Sequence, residues 1–114
     1  MTFSHQQSAH CESGVMSSLL TNAGFAISEP MVFGLSSALA FAYLPIIKLN
    51  GMPLIAYRMP PKHIINTLNK RLGLAIQTQR FSNAAAGQHA LDQALAQQQA
   101  VGLQTSVFWL PYFP

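Results

Sequence analysis

The stretch Ser8-Ala9-His10-Cys11-Glu12-Ser13-Gly14-Val15-Met16-Ser17-Ser18-Leu19-Leu20 contains the chain's only cysteine, Cys11, set between a histidine and a glutamate. Val15, Met16, Leu19 and Leu20 recur at the spacing of one helix face. Gly24 supplies a stop. A first helix is therefore expected from Cys11 to Ala23, with Cys11 at its N-terminus. A thiol reacts as the thiolate, and the unpaired N–H groups and dipole of a helix N-terminus favour that form. A lone cysteine is also commonly a small buried hydrophobe, and the residues alone leave both readings open. Gln6 and Gln7 lie just upstream. A side-chain amide from either, together with the Cys11 backbone N–H, would supply two donors to a developing oxyanion. Ser13 and Gly14 leave room for close approach on that helix face.

A cysteine nucleophile needs a base, usually a histidine oriented by a third group. The chain has four histidines. If His10 is helical, its side chain points about 100° away from that of Cys11, which makes it a poor base. His5 sits in a polar lead-in. His63 follows Pro60-Pro61 in the first turn of a helix and reads as exposed. His89 falls on the polar side of a glutamine-rich helix. All four read as solvated or hydrogen-bonded surface residues. Glu29 reads as the capping carboxylate of a second helix. His10, Cys11 and Glu12 diverge on a helix, and a single cysteine excludes multi-cysteine zinc sites. Phosphate-binding glycine loops, paired carboxylates and nucleophile-elbow serines are absent from the sequence. No metal or cofactor is expected.

Further along, Ser28-Glu29-Pro30 reads as a helix start, with a capping serine and proline in the first turn. A short second helix is expected from Pro30 to about Ala38. The segments 39–45 and 46–59 turn strand-like, with Asn50-Gly51 as a hairpin signal between apolar runs. Pro60-Pro61 opens a helix carrying Ile64, Ile65, Leu68 and Leu72 on one side, ended by Gly73. Leu74 to Phe81 alternates apolar and polar as a half-buried strand does. Ser82 to Ala100 reads as another helix with Ala90, Leu91, Ala94 and Leu95 inward. A final strand is expected over 101–110. The order α-α-β-β-α-β-α-β describes a single α+β domain across 1–114, with residues 1–8 a flexible lead-in.

The chain has 114 residues, half of them hydrophobic, which suffices for one packed domain. Only 8% are charged, against about 25% in typical domains. So thin a charged coat implies that another subunit, more chain or a ligand covers part of the surface. The net charge of +3 comes from scattered residues without a basic stripe, so no nucleic-acid partner is expected. The polar N-terminus lacks the pattern of a signal peptide, and a reduced, cytoplasmic setting is expected. The uncharged run from Met31 to Ile47 is interrupted by Gly34, Ser36, Ser37 and Pro45. It reads as buried core elements, with no membrane partner. Phe108, Trp109, Tyr112 and Phe113 crowd the C-terminal end, and a following segment or a second copy of the chain is expected to cover Trp109 and Phe113.

Three stretches taken together, HCESG (10–14), SEPMVFGLSSALAFAYLP (28–45) and VFWLPYFP (107–114), resemble the family of butirosin biosynthesis protein H, N-terminal domain. The similarity runs from about His10 to the last residue. The resemblance implies an architecture similar to papain-like and C39-type cysteine peptidases, an α+β fold with N-terminal helices followed by an antiparallel sheet. It implies cysteine-dependent acyl transfer from a carrier-protein thioester to an amine, with an acyl-carrier protein and a small amine acceptor as partners. Cys11 would be the nucleophile, and Gln6 or Gln7 the oxyanion donor. In such folds the histidine base follows on a later strand, beyond the position of Val107 to Pro114. The resemblance therefore implies a fold incomplete at its C-terminus and truncated before the catalytic histidine, and so weak or absent turnover for this chain. A peptidase-like hydrolase, or a non-catalytic binding or oligomerisation module of the same fold, are the other expectations.

Overall fold

The computed structural model describes residues 2–106, 108 and 111. Six elements follow one another: α1 (Cys11–Asn22), α2 (Glu29–Leu35), β1 (Leu39–Leu49), β2 (Met52–Arg58), α3 (His63–Leu72) and α4 (Ala84–Ala96). This is an α+β arrangement of helices and one antiparallel two-stranded sheet. The run from Met31 to Ile47 divides between α2, a turn and β1. Among the described residues no helix is long and apolar enough to cross a membrane.

The core lies where α1, α2 and α3 meet. Met16, Leu20, Ile27, Val32, Ala38, Ile64 and Leu68 are buried in it, and Leu19, Phe33, Ile65 and Leu72 pack around them. Of the expected apolar stripe of α1, Met16 and Leu20 are buried, Leu19 packs against the core and Val15 is exposed, and small residues share the inward face. That face consists of Ser13, Gly14, Met16, Ser17, Ser18 and Leu20. Small residues let the neighbouring backbone come close, and the buried hydroxyls find partners there. The Ser17 hydroxyl donates to the carbonyl of Ile27 at 2.6 Å, which holds the α1–α2 connection against α1. Burying a hydroxyl without such a partner would cost free energy.

Helix α2 ends against α3. The Arg71 guanidinium donates to the Leu35 carbonyl and the Ser37 hydroxyl, both at 2.6 Å. The His63 ring donates through Nε2 to the Ser36 carbonyl at 2.9 Å. Two side chains of α3 thus satisfy carbonyl groups that the end of a helix leaves without partners. His63 is half-buried for this reason, which corrects the expectation of an exposed helix residue.

The hairpin matches its turn signal. Asn50 and Gly51 have φ of 51° and 81°, the two positive values of a type I′ turn. The register pairs Leu49 with Met52, Tyr43 with Ile55 and Ala42 with Ala56. Pro45 falls in an irregular stretch of the ladder. Pro53 is tolerated because each strand of a two-stranded sheet keeps a free edge. The hairpin is not the buried element expected from its composition. Ile46 is 94% exposed, Leu39 76%, Phe41 74% and Met52 71%, because the ladder's contacts are almost wholly between the two strands.

Three other expectations differ from the structure. Residues 74–81 form no strand. The alternation is real, since Leu74 and Ile76 pack on the core, but among the described residues no second strand lies alongside. The Asn69 carboxamide takes that place, donating to the Ile76 carbonyl at 2.8 Å and accepting from the Ile76 amide at 2.9 Å. On α4, Ala90, Leu91 and Ala94 are half-buried, but Leu95 is 54% exposed and no residue of the helix is fully buried. Residues 101–106 are not a strand. The remainder of the expected final strand, and the expected covering of Trp109 and Phe113, lie outside the described residues.

Candidate functional site

The N-terminus of α1 is fixed from three sides. His10 has an extended backbone, with φ −131° and ψ 130°, and serves as the N-cap. Cys11 is the first helical residue and is exposed. The lead-in runs back along α1. The Ser4 amide donates to the Asn22 side-chain oxygen at 2.8 Å, and the Asn22 amide group returns a bond to the Ser4 carbonyl at 2.9 Å. Nearer the cap, a Cβ on Gly14 would collide with the Ser8 side chain. Only a glycine lets the lead-in lie this close to the helix.

The third tie comes from α2. Glu29, in its first turn, does not cap α2; the Ser28 hydroxyl does that, accepting from the Met31 amide at 3.4 Å. The Glu29 carboxylate instead reaches across to α1. It accepts from the Ala9 amide at 2.9 Å, the His10 amide at 2.7 Å and the Ser13 hydroxyl at 3.1 Å. The Ala9 amide, followed by the His10 amide, the Ser13 hydroxyl and the adjacent imidazole, holds the Glu29 carboxyl below its ordinary value of 4.5 against an opposing desolvation effect. Glu12 makes a similar but longer-range tie, accepting from the Lys62 amide before α3 at 3.2 Å.

The depressed carboxyl has a consequence for stability. A group whose folded pKa lies below its unfolded value stabilises the fold fully above the unfolded value, and loses that contribution as pH falls through the folded one. The Glu29 contribution is therefore complete above about pH 5 and is lost on acidification below the ordinary value of 4.5. The melting temperature of the wild-type chain is expected to fall over that acid range, and Glu29→Gln is expected to flatten the fall while lowering the neutral-pH value. Parallel curves for the two proteins would show that the carboxylate is not the group responsible.

Cys11 opens into a cleft of about 480 Å³. Gln6 and Gln7 line it with Cys11, and so do His5 and His10. Its other end is apolar, formed by Phe3, by Val15 and Leu19 on the outer face of α1, and by residues 101–103. That segment crosses α1 closely, since a Cβ on Gly102 would stand 3.0 Å from Val15 and 3.1 Å from Leu19. The structure thus places the cysteine and both glutamines on the wall of one cleft. His63 caps α2 and His89 lies exposed on α4, and neither lines that cleft. Among the described residues no group of three or more histidine, cysteine or acidic side chains is placed to hold a metal ion.

His10 is the residue that sequence reasoning misjudged most. Its backbone is extended, not helical, so the 100° divergence expected of helical neighbours does not apply. The half-buried ring meets Phe33 edge-on at 5.9 Å between centroids. Nδ1 lies 3.1 Å from the Ser13 hydroxyl. Nε2 is buried and has no hydrogen-bond partner. The same ring lines a second cleft of about 530 Å³, formed with Phe33, Leu39, Tyr57 and Pro60 between the hairpin and the approach to α3. Ser13 is a local partner of this ring, three residues on, whereas Glu29, which meets the Ser13 hydroxyl and the Ala9 and His10 amides, carries no local signal of doing so.

A family model described as Butirosin biosynthesis protein H, N-terminal, matches residues 10–114. No curated protein and no solved structure gives a significant match.

Proposed function

We propose, from the premise that this chain belongs to the family of butirosin biosynthesis protein H, N-terminal, that it is a cysteine-dependent acyltransferase domain with Cys11 as its nucleophile. Membership of a biosynthetic family gives the role, and an exposed thiol in the first turn of α1, opening into a cleft lined by Gln6 and Gln7, supports the chemistry. In this reading the architecture is papain-like. The Cys11 sulfur attacks the carbonyl carbon of a carrier-protein thioester, the oxyanion accepts hydrogen bonds from Gln6 or Gln7 and from the Cys11 amide, and the donor thiolate leaves. An amine then takes the acyl group from Cys11. A reducing cytoplasmic setting would keep the thiol available.

The reading is tested by incubating the full chain with an N-acetylcysteamine thioester and measuring intact mass, followed by peptide mapping. One acyl adduct on the peptide containing Cys11, removed by a primary amine with formation of the amide, is the expected result. An adduct discharged only to water would favour the peptidase-like hydrolase. No adduct would remove the basis for acyl transfer.

A second reading, a binding or oligomerisation module, is favoured by the hairpin. Ile46, Phe41 and Met52 stand mostly exposed on strands that, among the described residues, pair only with each other, a surface that pairs readily with another chain. Sedimentation separates the two: a stable oligomer without thiol chemistry supports the module.

A further inference from the structure

We infer that the acyl group taken up by Cys11 is an uncharged aliphatic one, and that its hydrocarbon lies along α1 in the apolar arm of the Cys11 cleft. The inference rests on the acyl-transfer reading above and names the substrate class of that same site.

The groove follows from what packs on α1. Cys11, Val15 and Leu19 stand at i, i+4 and i+8, so they succeed one another along one ridge of the helix. The lead-in runs beside that ridge and is held at both ends. Near the thiol Ser8 fits against Gly14, and at the far end of α1 Ser4 exchanges two hydrogen bonds with Asn22. Residues 101–103 pack across Val15 and Leu19, so closely that a Cβ on Gly102 would press on both, and they bound the apolar end.

The cleft changes character along its length. Gln6, Gln7 and His10 stand with Cys11, while Phe3, Val15, Leu19 and Leu103 line the rest. No described residue lining it is an aspartate, glutamate, lysine or arginine. A charged acyl group would find no partner there, and burying an unpaired charge is unfavourable. Phe3, Val15 and Leu103 are exposed in the free chain. A hydrocarbon laid among them removes apolar surface from water on both sides of the contact. The dimensions give a length. From Cys11 to Leu19 a helix rises about 12 Å. With carbon–carbon bonds of about 1.5 Å a staggered hydrocarbon advances about 1.25 Å per carbon, so about eight to ten carbons reach Leu19.

In the acylation step the Cys11 thiolate bonds to the thioester carbonyl carbon and the bond from that carbon to the donor sulfur breaks. The donor thiolate takes up the proton that Cys11 lost. The hydrocarbon is then tethered at the head of the groove.

The test uses the full chain with acetyl, butyryl, hexanoyl and octanoyl N-acetylcysteamine thioesters. Acylation of Cys11 is followed by intact mass and peptide mapping, and each rate is divided by that of glutathione with the same thioester, which removes intrinsic reactivity. The normalised rate is expected to rise about twofold per methylene, or about 60-fold from acetyl to octanoyl, half-burial in an open groove giving about half the full transfer increment. A hexanoyl thioester bearing a terminal ammonium is expected to react about tenfold more slowly than hexanoyl itself. Val15→Gln on the helix and Leu103→Gln on the crossing segment are each expected to lower the octanoyl-to-acetyl ratio by about fivefold. A wild-type ratio near one, or an ammonium-bearing thioester as fast as hexanoyl, overturns the inference and leaves acylation of Cys11 standing. Ratios unchanged in both glutamine variants put the hydrocarbon outside this groove and overturn it as well. If none of the thioesters acylates Cys11, the acyl-transfer reading fails and the inference falls with it.

Discussion

Cys11→Ala is expected to abolish acylation of the chain by a small thioester, with almost no change in melting temperature. The two parts of that expectation have different physical origins. Covalent transfer needs an atom that can attack the carbonyl carbon and later leave, and a methyl group can do neither. The residue is exposed and is the first of its helix, so the side chain contributes little to packing, and alanine is well tolerated in a helix. The cap is His10 and the ties at Glu29 involve Ala9, His10 and Ser13, so none of them is touched. Intact mass and a thermal melt on the same preparation check both parts. Undiminished labelling in the variant would place the reactive group elsewhere, and a collapse of the melt would make Cys11 a structural residue.

The second large effect concerns the core. Leu68 is 0% exposed, in the middle of α3, with Ile64 one turn before it also buried. Leu68→Ala removes the transfer free energy of the lost carbons and leaves a cavity that the surrounding helices only partly fill, at a cost of about 3 kcal/mol. Against the 5–15 kcal/mol that is roughly the whole stability of a domain, that is a large share. The expected outcome in a urea titration is a clear drop in midpoint with an unchanged slope. A shift below about 1 kcal/mol would mean that α3 repacks readily and that the three-helix core is looser than the burial of Leu68 and Val32 implies.

Signals local to the chain were legible. Helix α1 begins at Cys11, Ser28 caps α2, Asn50-Gly51 turns the hairpin and Gly73 stops α3, each a matter of a few consecutive residues. Family membership was legible from three separated motifs. What could not be read depends on partners distant in sequence. Residues 74–81 have the composition of a strand, but a strand exists only beside another, and Asn69 is what lies there. Glu29 looks like a cap for its own helix until α1 is brought beside it. His63 looks solvated until the end of α2 arrives over it. Met16 and Leu20 of α1 are buried as their spacing predicts, but Ser13 and Ser17 join them and Val15 does not, because a close helix contact selects for small side chains as well as greasy ones. In the site, the glutamines were placed near the cysteine from proximity in the chain. The relation of His10 to Ser13 and Glu29 needed the fold.

The hairpin's detachment from the helices bears on how the protein comes apart. Its strands hold chiefly to each other, while α1, α2 and α3 hold to one another. Two groups of residues so weakly joined need not lose their order together, and separate cooperative units of this kind open at their own free energies. Amide hydrogen exchange read at the hairpin strands and far-ultraviolet ellipticity, which the helices dominate, sample different parts of the molecule. An opening free energy at the hairpin amides equal to that of the helical core would mean a single all-or-none transition; with this architecture the hairpin amides are expected to exchange first.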